Sequence, residues 1–253
     1  MTRPGPLGAG PGPLATGPQW PGPLALLHTS PAHIPVFEAL RDQDHPGLEL
    51  RHTVSEELLA RARAEGPDSV AAAVRAALDT ALADGARAVL CTCSTIGGVA
   101  EDVGAALPVL RVDRPMAAAA VAAGSRIVVL ATVESTFAPT VALVEEEARR
   151  AGRPVEVRTA LAGDAWALFE AGDTDGYARA VARAADAVTG ADAIVLAQAS
   201  MAPAQRLTGT SVPVLSSPRP GLAAGAVAVR AGRSVARAGA EQAHLVAIPH
   251  ATG

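Results

Sequence analysis

The sequence predicts an α/β protein of two pseudo-symmetric lobes, each a mostly parallel sheet flanked by helices, with a site in the cleft between them. Three observations predict it. Short apolar runs alternate with helical stretches along the chain, the pattern of βαβ units. Residues 85–115 align without a gap with residues 190–220, an offset of 105. Gly85-Ala86 matches Gly190-Ala191, Ala88-Val89-Leu90 matches Ala193-Ile194-Val195, Leu107-Pro108-Val109-Leu110 parallels Val212-Pro213-Val214-Leu215, and Arg114-Pro115 matches Arg219-Pro220. Two Ala/Val-rich units can look alike by chance, but here the prolines and glycines coincide as well, which favours duplication. Finally, several apolar runs end in polar turns, and ligands of open α/β sheets bind at the carboxyl ends of strands.

Composition sets the outer bounds. A length of 253 residues fits one large domain or two small lobes. Hydrophobic residues make up 49% and aromatics only 2%, so Ala, Val and Leu must fill the core. A net charge of −4 gives no basic footprint for nucleic acid. Two cysteines at a C-x-C spacing make no disulfide framework and point to a reducing, cytoplasmic setting. No apolar run approaches the ~20 residues that cross a bilayer. No continuous apolar segment follows Arg3, so neither a membrane span nor a signal peptide is expected.

The elements follow in order. Residues 1–22 are mostly Gly, Pro, Leu and Ala and read as a disordered tail, with Trp20 free to pack locally. Leu24 to Leu27 is a short buried strand ending in His28-Thr29-Ser30-Pro31, and Ile34 to Arg41 a helix. Leu48 to Val54 alternates as a strand, and Ser55 is placed to cap Glu56-Glu57-Leu58-Leu59. Asp68 to Ala83 carries Val70, Val74, Ala77, Leu78 and Leu82 on one helical face and stops at Gly85. After the 86–98 stretch come a helix from about Val99 to Ala106, a strand Pro108–Val112 and a helix Met116–Ala123. Ile127 to Leu130 is a β-branched and apolar run suited to a central parallel strand. It leads into the hydroxyl-rich turn 131–136, a helix from Pro139 to Arg150 and a strand Val155–Leu161. Helices Ala165–Ala171 and Tyr177–Val188, strands Ala193–Ala197 and Val212–Leu215, and a helix from Leu222 nearly to His244 complete the chain. The lobes divide as 23–113 with 218–253, and 114–217.

The chemistry centres on Cys91-Thr92-Cys93-Ser94-Thr95-Ile96-Gly97-Gly98, where an apolar run enters and a helix leaves. Cys93 then sits in a crevice at a helix head, whose dipole favours a thiolate. The alternative is a buried small hydrophobe, the usual fate of a free cysteine and the one expected of Cys91. At the offset of 105, Cys93 faces Gln198, Ser94 faces Ala199 and Thr95 faces Ser200.

With these residues in view, 24–245 resembles the aspartate/glutamate racemase superfamily, which includes hydantoin racemase, maleate isomerase and arylmalonate decarboxylase. Cys93-Ser94-Thr95 is similar to the family's C-N-T motif, with Ser for Asn. Thr132 and Ser135 fit its pair of hydroxyls three apart. Thr29 and Ser30, beside His28, resemble its N-terminal turn. The resemblance implies two facing lobes that each offer one cysteine to the substrate α-carbon, no metal or organic cofactor, and a homodimer. The chain departs at Ala197-Gln198-Ala199-Ser200-Met201, where Gln198 replaces the second cysteine. Gln198 cannot exchange a proton, though its amide can hydrogen-bond a carboxylate or enolate.

The expected function is cofactor-independent racemisation or isomerisation of a small carboxylate, with Cys93 moving the proton. A single-cysteine decarboxylase-type lyase and a non-catalytic carboxylate binder stay open. Thr29, Ser30, Ser94, Thr95, Thr132, Ser135, Ala199 and Ser200 are the substrate-binding candidates, although such hydroxyls also cap helices locally. Gln198 and His28 are candidates for the second face, His28 because imidazole titrates near neutrality, with a turn-stabilising role as its alternative. The remaining histidines show no ligand spacing, so no metal is expected.

Overall fold

The computed structural model describes residues 20–231 and contains two four-stranded parallel sheets. The first is built from β1 (Leu24–His28), β2 (Leu50–Val54), β3 (Ala88–Cys91) and β4 (Val109–Arg111), in the order β2-β1-β3-β4. The second uses β5 (Arg126–Ala131), β6 (Glu156–Leu161), β7 (Ala193–Leu196) and β8 (Val214–Ser216), in the order β6-β5-β7-β8. The two orders are the same, and so is the pairing. Leu90 lies opposite Leu110 and Val195 opposite Leu215, so both partners shift by the 105 residues seen in the sequence. β1, β3 and β7 are buried at every position, as central parallel strands require.

Nine helices cover the sheets in the described residues. They are α1 (Ile34–Asp44), α2 (Glu56–Glu65), α3 (Ala71–Ala83), α4 (Ser94–Val103), α5 (Arg114–Ala123), α6 (Phe137–Ala151), α7 (Gly163–Glu170), α8 (Thr174–Asp186) and α9, which starts at 218 and is described to 231. α9 returns the chain to the first lobe. Its Leu222, Ala226 and Val229 are buried with Leu24, Leu26, Phe37, Leu90 and Val112. Gly221 and Gly225 make this approach possible, because a Cβ at Gly221 would stand 2.4 Å from the Val112 carbonyl oxygen and one at Gly225 2.8 Å from Leu24 Cδ2. Trp20 packs edge-on to His45, donates to the Pro46 carbonyl at 3.1 Å and lies under the Arg230 guanidinium. The rest of the expected N-terminal tail, 1–19, and the helix expected beyond 231 lie outside the described residues.

Three local expectations change. α4 begins at Ser94 rather than near Val99, so Gly97 and Gly98 are helix interior. Their small size is used by Arg111, whose Cβ would lie 3.0 Å from a Cβ at Gly97. The helix expected over Asp68–Ala83 opens as a 3-10 turn, Pro67–Val70, before α3. Ser55 precedes α2 in extended geometry, but its side chain caps nothing. In the second lobe the counterpart of α4 is a 3-10 helix, Ala199–Arg206. Pro203 lies inside it, and proline disrupts α-helical hydrogen bonding.

Ionic contacts tie the lobes together. Arg111 is 6% exposed and pairs with Asp113, itself 1% exposed, at 2.7 and 2.9 Å. Arg114, at the head of α5, bonds Glu101 of α4 and both Glu146 and Glu147 of α6. Arg111→Met should lower the unfolding free energy by about 3–5 kcal/mol, because Asp113 is left buried and unpaired. Urea unfolding measures this, and Arg111→Met with Asp113→Leu should recover most of the loss. Equal losses in the single and double variants would show that the pair is not its origin.

Candidate active site

The carboxyl ends of both sheets open onto one cavity of about 330 Å³ between the lobes, a volume suited to a small molecule. Its walls repeat the duplication. Thr92 and Ala197, Cys93 and Gln198, Ser94 and Ala199, Thr95 and Ser200, and Val112 and Ser217 are each 105 residues apart, and all ten line it. Cys93 heads α4 with φ −107° and ψ 120°, while Gln198 heads the 3-10 helix with φ −116° and ψ 139°. The two side chains therefore leave equivalent backbone positions, one from each lobe. Neither caps its own helix, so thiol and amide are free for other partners.

The Gln198 amide is oriented by the turn that follows the neighbouring strand β5. Its Oε1 accepts from the Thr132 backbone N–H at 2.7 Å and from Thr132 Oγ1 at 3.0 Å. A backbone N–H can only donate, so the amide oxygen must face it. Nε2, with two donors, is left on the other side. Thr132 is 3% exposed and does not line the cavity; it acts by holding Gln198. Tyr177 Oη joins the same cluster, 3.4 Å from Thr132 Oγ1 and 2.9 Å from Ser200 Oγ.

Thr29 and Ser30, at the end of β1, line the cavity. Ser135 does not. It is exposed on the 3-10 turn Glu134–Thr136, and the next hydroxyl, Thr136, faces the cavity instead. One residue of phase along a tight turn decides which hydroxyl points inward. His28 lies behind the wall, fully buried, with both ring nitrogens occupied. Nδ1 is 2.7 Å from Thr92 Oγ1 and Nε2 2.8 Å from His52 Nδ1, while His52 Nε2 reaches Glu38 at 2.9 Å. His28 thus has no free nitrogen for a substrate and braces the Thr92–Cys93 segment. Burial, then His52 and His33, push its pKa down to about 3, so its ring is neutral at pH 7.

Cys91 is fully buried, and its Sγ donates to the Cys93 carbonyl at 3.7 Å. Burial first, with Cys93 beside it, pushes this thiol well above its ordinary range, as befits a core residue. Both cysteines are free.

Residues 25–225 match the family model described as Asp/Glu/Hydantoin racemase. The chain belongs to this family. Solved structures of similar fold include aspartate racemase from Picrophilus torridus, with 15% identity over 78% of this chain and 90% of that one and a TM-score of 0.60. Glutamate racemase from Thermus thermophilus, in complex with β-chloro-D-alanine, is 23% identical over 88% of this chain and 82% of that one, with a TM-score of 0.52. A mutant of arylmalonate decarboxylase in its sulfate-associated form is 19% identical over 81% and 92%, with a TM-score of 0.54. No curated protein matches this chain in sequence.

Sequence reasoning missed much of the rest of this racemase-family cavity. α2 contributes Glu56, Leu59, Ala60 and Arg63, and the N-terminal turn contributes His33. α7 supplies Trp166 and Phe169, whose rings stack at 4.9 Å between centroids. A signal existed: Trp166, Phe169 and Tyr177 are half of a chain total of two Trp, one Tyr and three Phe. Sparse aromatics gathered in one short stretch mark a surface worth locating. Among the described residues no helix is long and apolar enough to cross a membrane.

The buried neutral His28 makes stability pH-dependent. Its folded pKa lies below its unfolded value of 6.5, so the unfolded chain binds the extra proton first. Its contribution is complete above pH 6.5 and falls by up to about 1.4 kcal/mol per pH unit as pH drops toward 3. Urea unfolding at pH 7, 5.5 and 4.5 should show this slope in the wild type and a shallower one in His28→Gln. Identical slopes would remove His28 as the cause.

Proposed function

We propose that the protein is a cofactor-independent racemase or isomerase that moves a proton at the carbon next to a substrate carboxylate, with Cys93 as the proton carrier. One observation carries this reading: Cys93 and Gln198 hold equivalent helix-head positions on facing walls of one cavity. A carboxylate fits between the helix starts, where backbone N–H groups and the hydroxyls of Ser94, Thr95 and Ser200 supply donors. Proton loss turns the carboxylate into an enediolate, and the Gln198 Nε2 donors suit the added charge. Ala199 leaves room beside it, and Thr29, Ser30 and Thr136 line the remaining turns. A reducing cytoplasm would keep the Cys93 thiol available.

The walls also bear on the substrate side chain. Trp166, Phe169, Leu59 and Ala60 offer an apolar and aromatic face, whereas Asp113 is already paired with Arg111 and the wall's other charges, Glu56 and Arg63, are of opposite sign. We therefore favour an acid with an aryl or other apolar substituent over aspartate or glutamate. Gln198 in place of a thiol, together with this aromatic wall, supports a second reading as a single-cysteine decarboxylase-type lyase acting on a malonate that carries such a substituent.

Deuterium wash-in from solvent tests the first reading. Cys93→Ala should lower α-proton exchange by about 100-fold or more on the phenylglycine enantiomer whose α-hydrogen faces the thiol, the usual range for a lost general acid–base. Full exchange in that variant would end the proposal, whereas binding without exchange in the wild type would mark a carboxylate binder. Trp166→Ala should raise KM for phenylglycine more than for aspartate, since a stacked aromatic contact is worth about 0.5–1.5 kcal/mol beyond its buried area. Equal effects on both substrates would refute the aromatic-wall assignment.

A further inference from the structure

Placing Cys93 at one face of the substrate leaves the other face without a proton carrier, because Gln198 has none to exchange. Among the residues lining the cavity, one imidazole is available there. His33 ends the 3-10 turn Pro31–His33 that follows β1. Ser30 starts that turn, its Oγ accepting from the Ala32 N–H at 3.4 Å, and Pro31 fixes the first backbone angle. The turn packs against the 3-10 helix headed by Gln198, so it places a first-lobe histidine in the cavity wall where the two lobes meet. The contrast with His28 is chemical. Both His28 nitrogens are bonded, whereas His33 Nδ1 is buried with no hydrogen-bond partner among the described residues. Nδ1 is closed off from the cavity as well as from solvent, so a substrate reaches the ring through Nε2, which makes no hydrogen bond among the described residues.

We propose that His33 is the second proton carrier of this cleft, serving the substrate face opposite Cys93. The inference rests on the proton-transfer function proposed above. Burial holds the His33 pKa below its ordinary value of 6.5, so the ring is neutral at pH 7, with one nitrogen able to accept and one able to donate. His28 from β1 lies beside it, with ring centroids 6.2 Å apart, and the titratable and charged groups that line the same cavity are Glu56 and Arg63 from α2, Cys93 from the β3–α4 junction and Asp113 beyond β4. The second-lobe side adds Gln198, Ala199 and Ser200. The protons balance. In one direction neutral His33 takes the α-proton, its C–H electron pair passes into the enediolate, and the Cys93 thiol protonates the opposite face. This leaves an imidazolium and a thiolate, which hold the same number of protons as the starting pair. In the reverse direction the thiolate takes the proton and the imidazolium gives one back.

The test is deuterium wash-in on each enantiomer of phenylglycine, with wild type, Cys93→Ala and His33→Gln compared across pH 5–9. Wild type should label both enantiomers. His33→Gln should lose exchange from one enantiomer by about 100-fold or more and keep it from the other, and the limb of the pH profile belonging to the histidine should vanish. Unchanged exchange and an unchanged profile in His33→Gln overturn the inference alone. So does loss of both labels together, which a merely structural role would produce. No exchange in the wild type removes the function proposed for the cleft, and this inference with it. Should His33→Gln fold poorly, the wild-type ring decides. Its nitrogen NMR titration should move to higher pH when phenylacetate is added, and a titration unmoved by phenylacetate that protects Cys93 from alkylation overturns the assignment.

Discussion

A single guanidinium holds the walls of the cleft in place. Arg111 leaves β4, donates twice to Asp113 in the cavity wall, and reaches the Ser94 carbonyl at 3.4 Å and the Pro139 carbonyl at 3.5 Å. Those partners belong to the first lobe's rim, to the first turn after Cys93 and to α6 of the second lobe. Burying a charge costs heavily unless it is paired and hydrogen-bonded, and here the fork geometry of arginine meets a carboxylate through two nitrogens. Glu101 accepts from the Arg111 backbone N–H at 3.3 Å and passes the contact on to Arg114, Glu146 and Glu147. The position of the Cys93 helix and the spacing of the lobes are thus set by one connected charge cluster. Small residues suit it, since Gly97 and Gly98 of α4 leave room for the Arg111 side chain and the alanines of α5 keep that helix slim.

The architecture was legible in the sequence because its evidence is local and repeated. Proline, glycine and apolar runs recur at one offset, and the β3–β4 and β7–β8 registers reproduce that offset residue for residue. What escaped depends on contacts between distant segments. Gly97-Gly98 looks like the exit of a turn until Arg111 is seen lying across it. His28 looks like a free imidazole at a strand end until parallel pairing of β1 with β2 brings up His52, and α1 brings up Glu38. Thr132 and Ser135 fit a spacing of two hydroxyls, but spacing carries no phase, and Thr136 is the one that faces inward. His33 had no motif to announce it, and the α7 aromatics had only their crowding in a chain poor in aromatics.

The two lobes share a backbone and divide the chemistry. Duplication yields two strand-to-helix junctions facing each other, each with unpaired backbone donors suited to an anion. A substrate with one carboxylate beside its reacting carbon needs only one such site. The other junction is then free to change its side chain, and Gln198, with its oxygen held by Thr132, is that change. The same holds for the helices that follow the edge strands. α2 brings Glu56 and Arg63, whereas α7 brings Trp166 and Phe169 to the matching place. In the function proposed, the first lobe carries the proton chemistry and the second recognises and stabilises. An amide fixed in one orientation is a better donor to a developing enediolate than a rotating one, because its dipole needs no reorganisation as the charge appears. Loss of the second thiol is therefore compatible with turnover as long as another group supplies that proton or the reaction needs only one face.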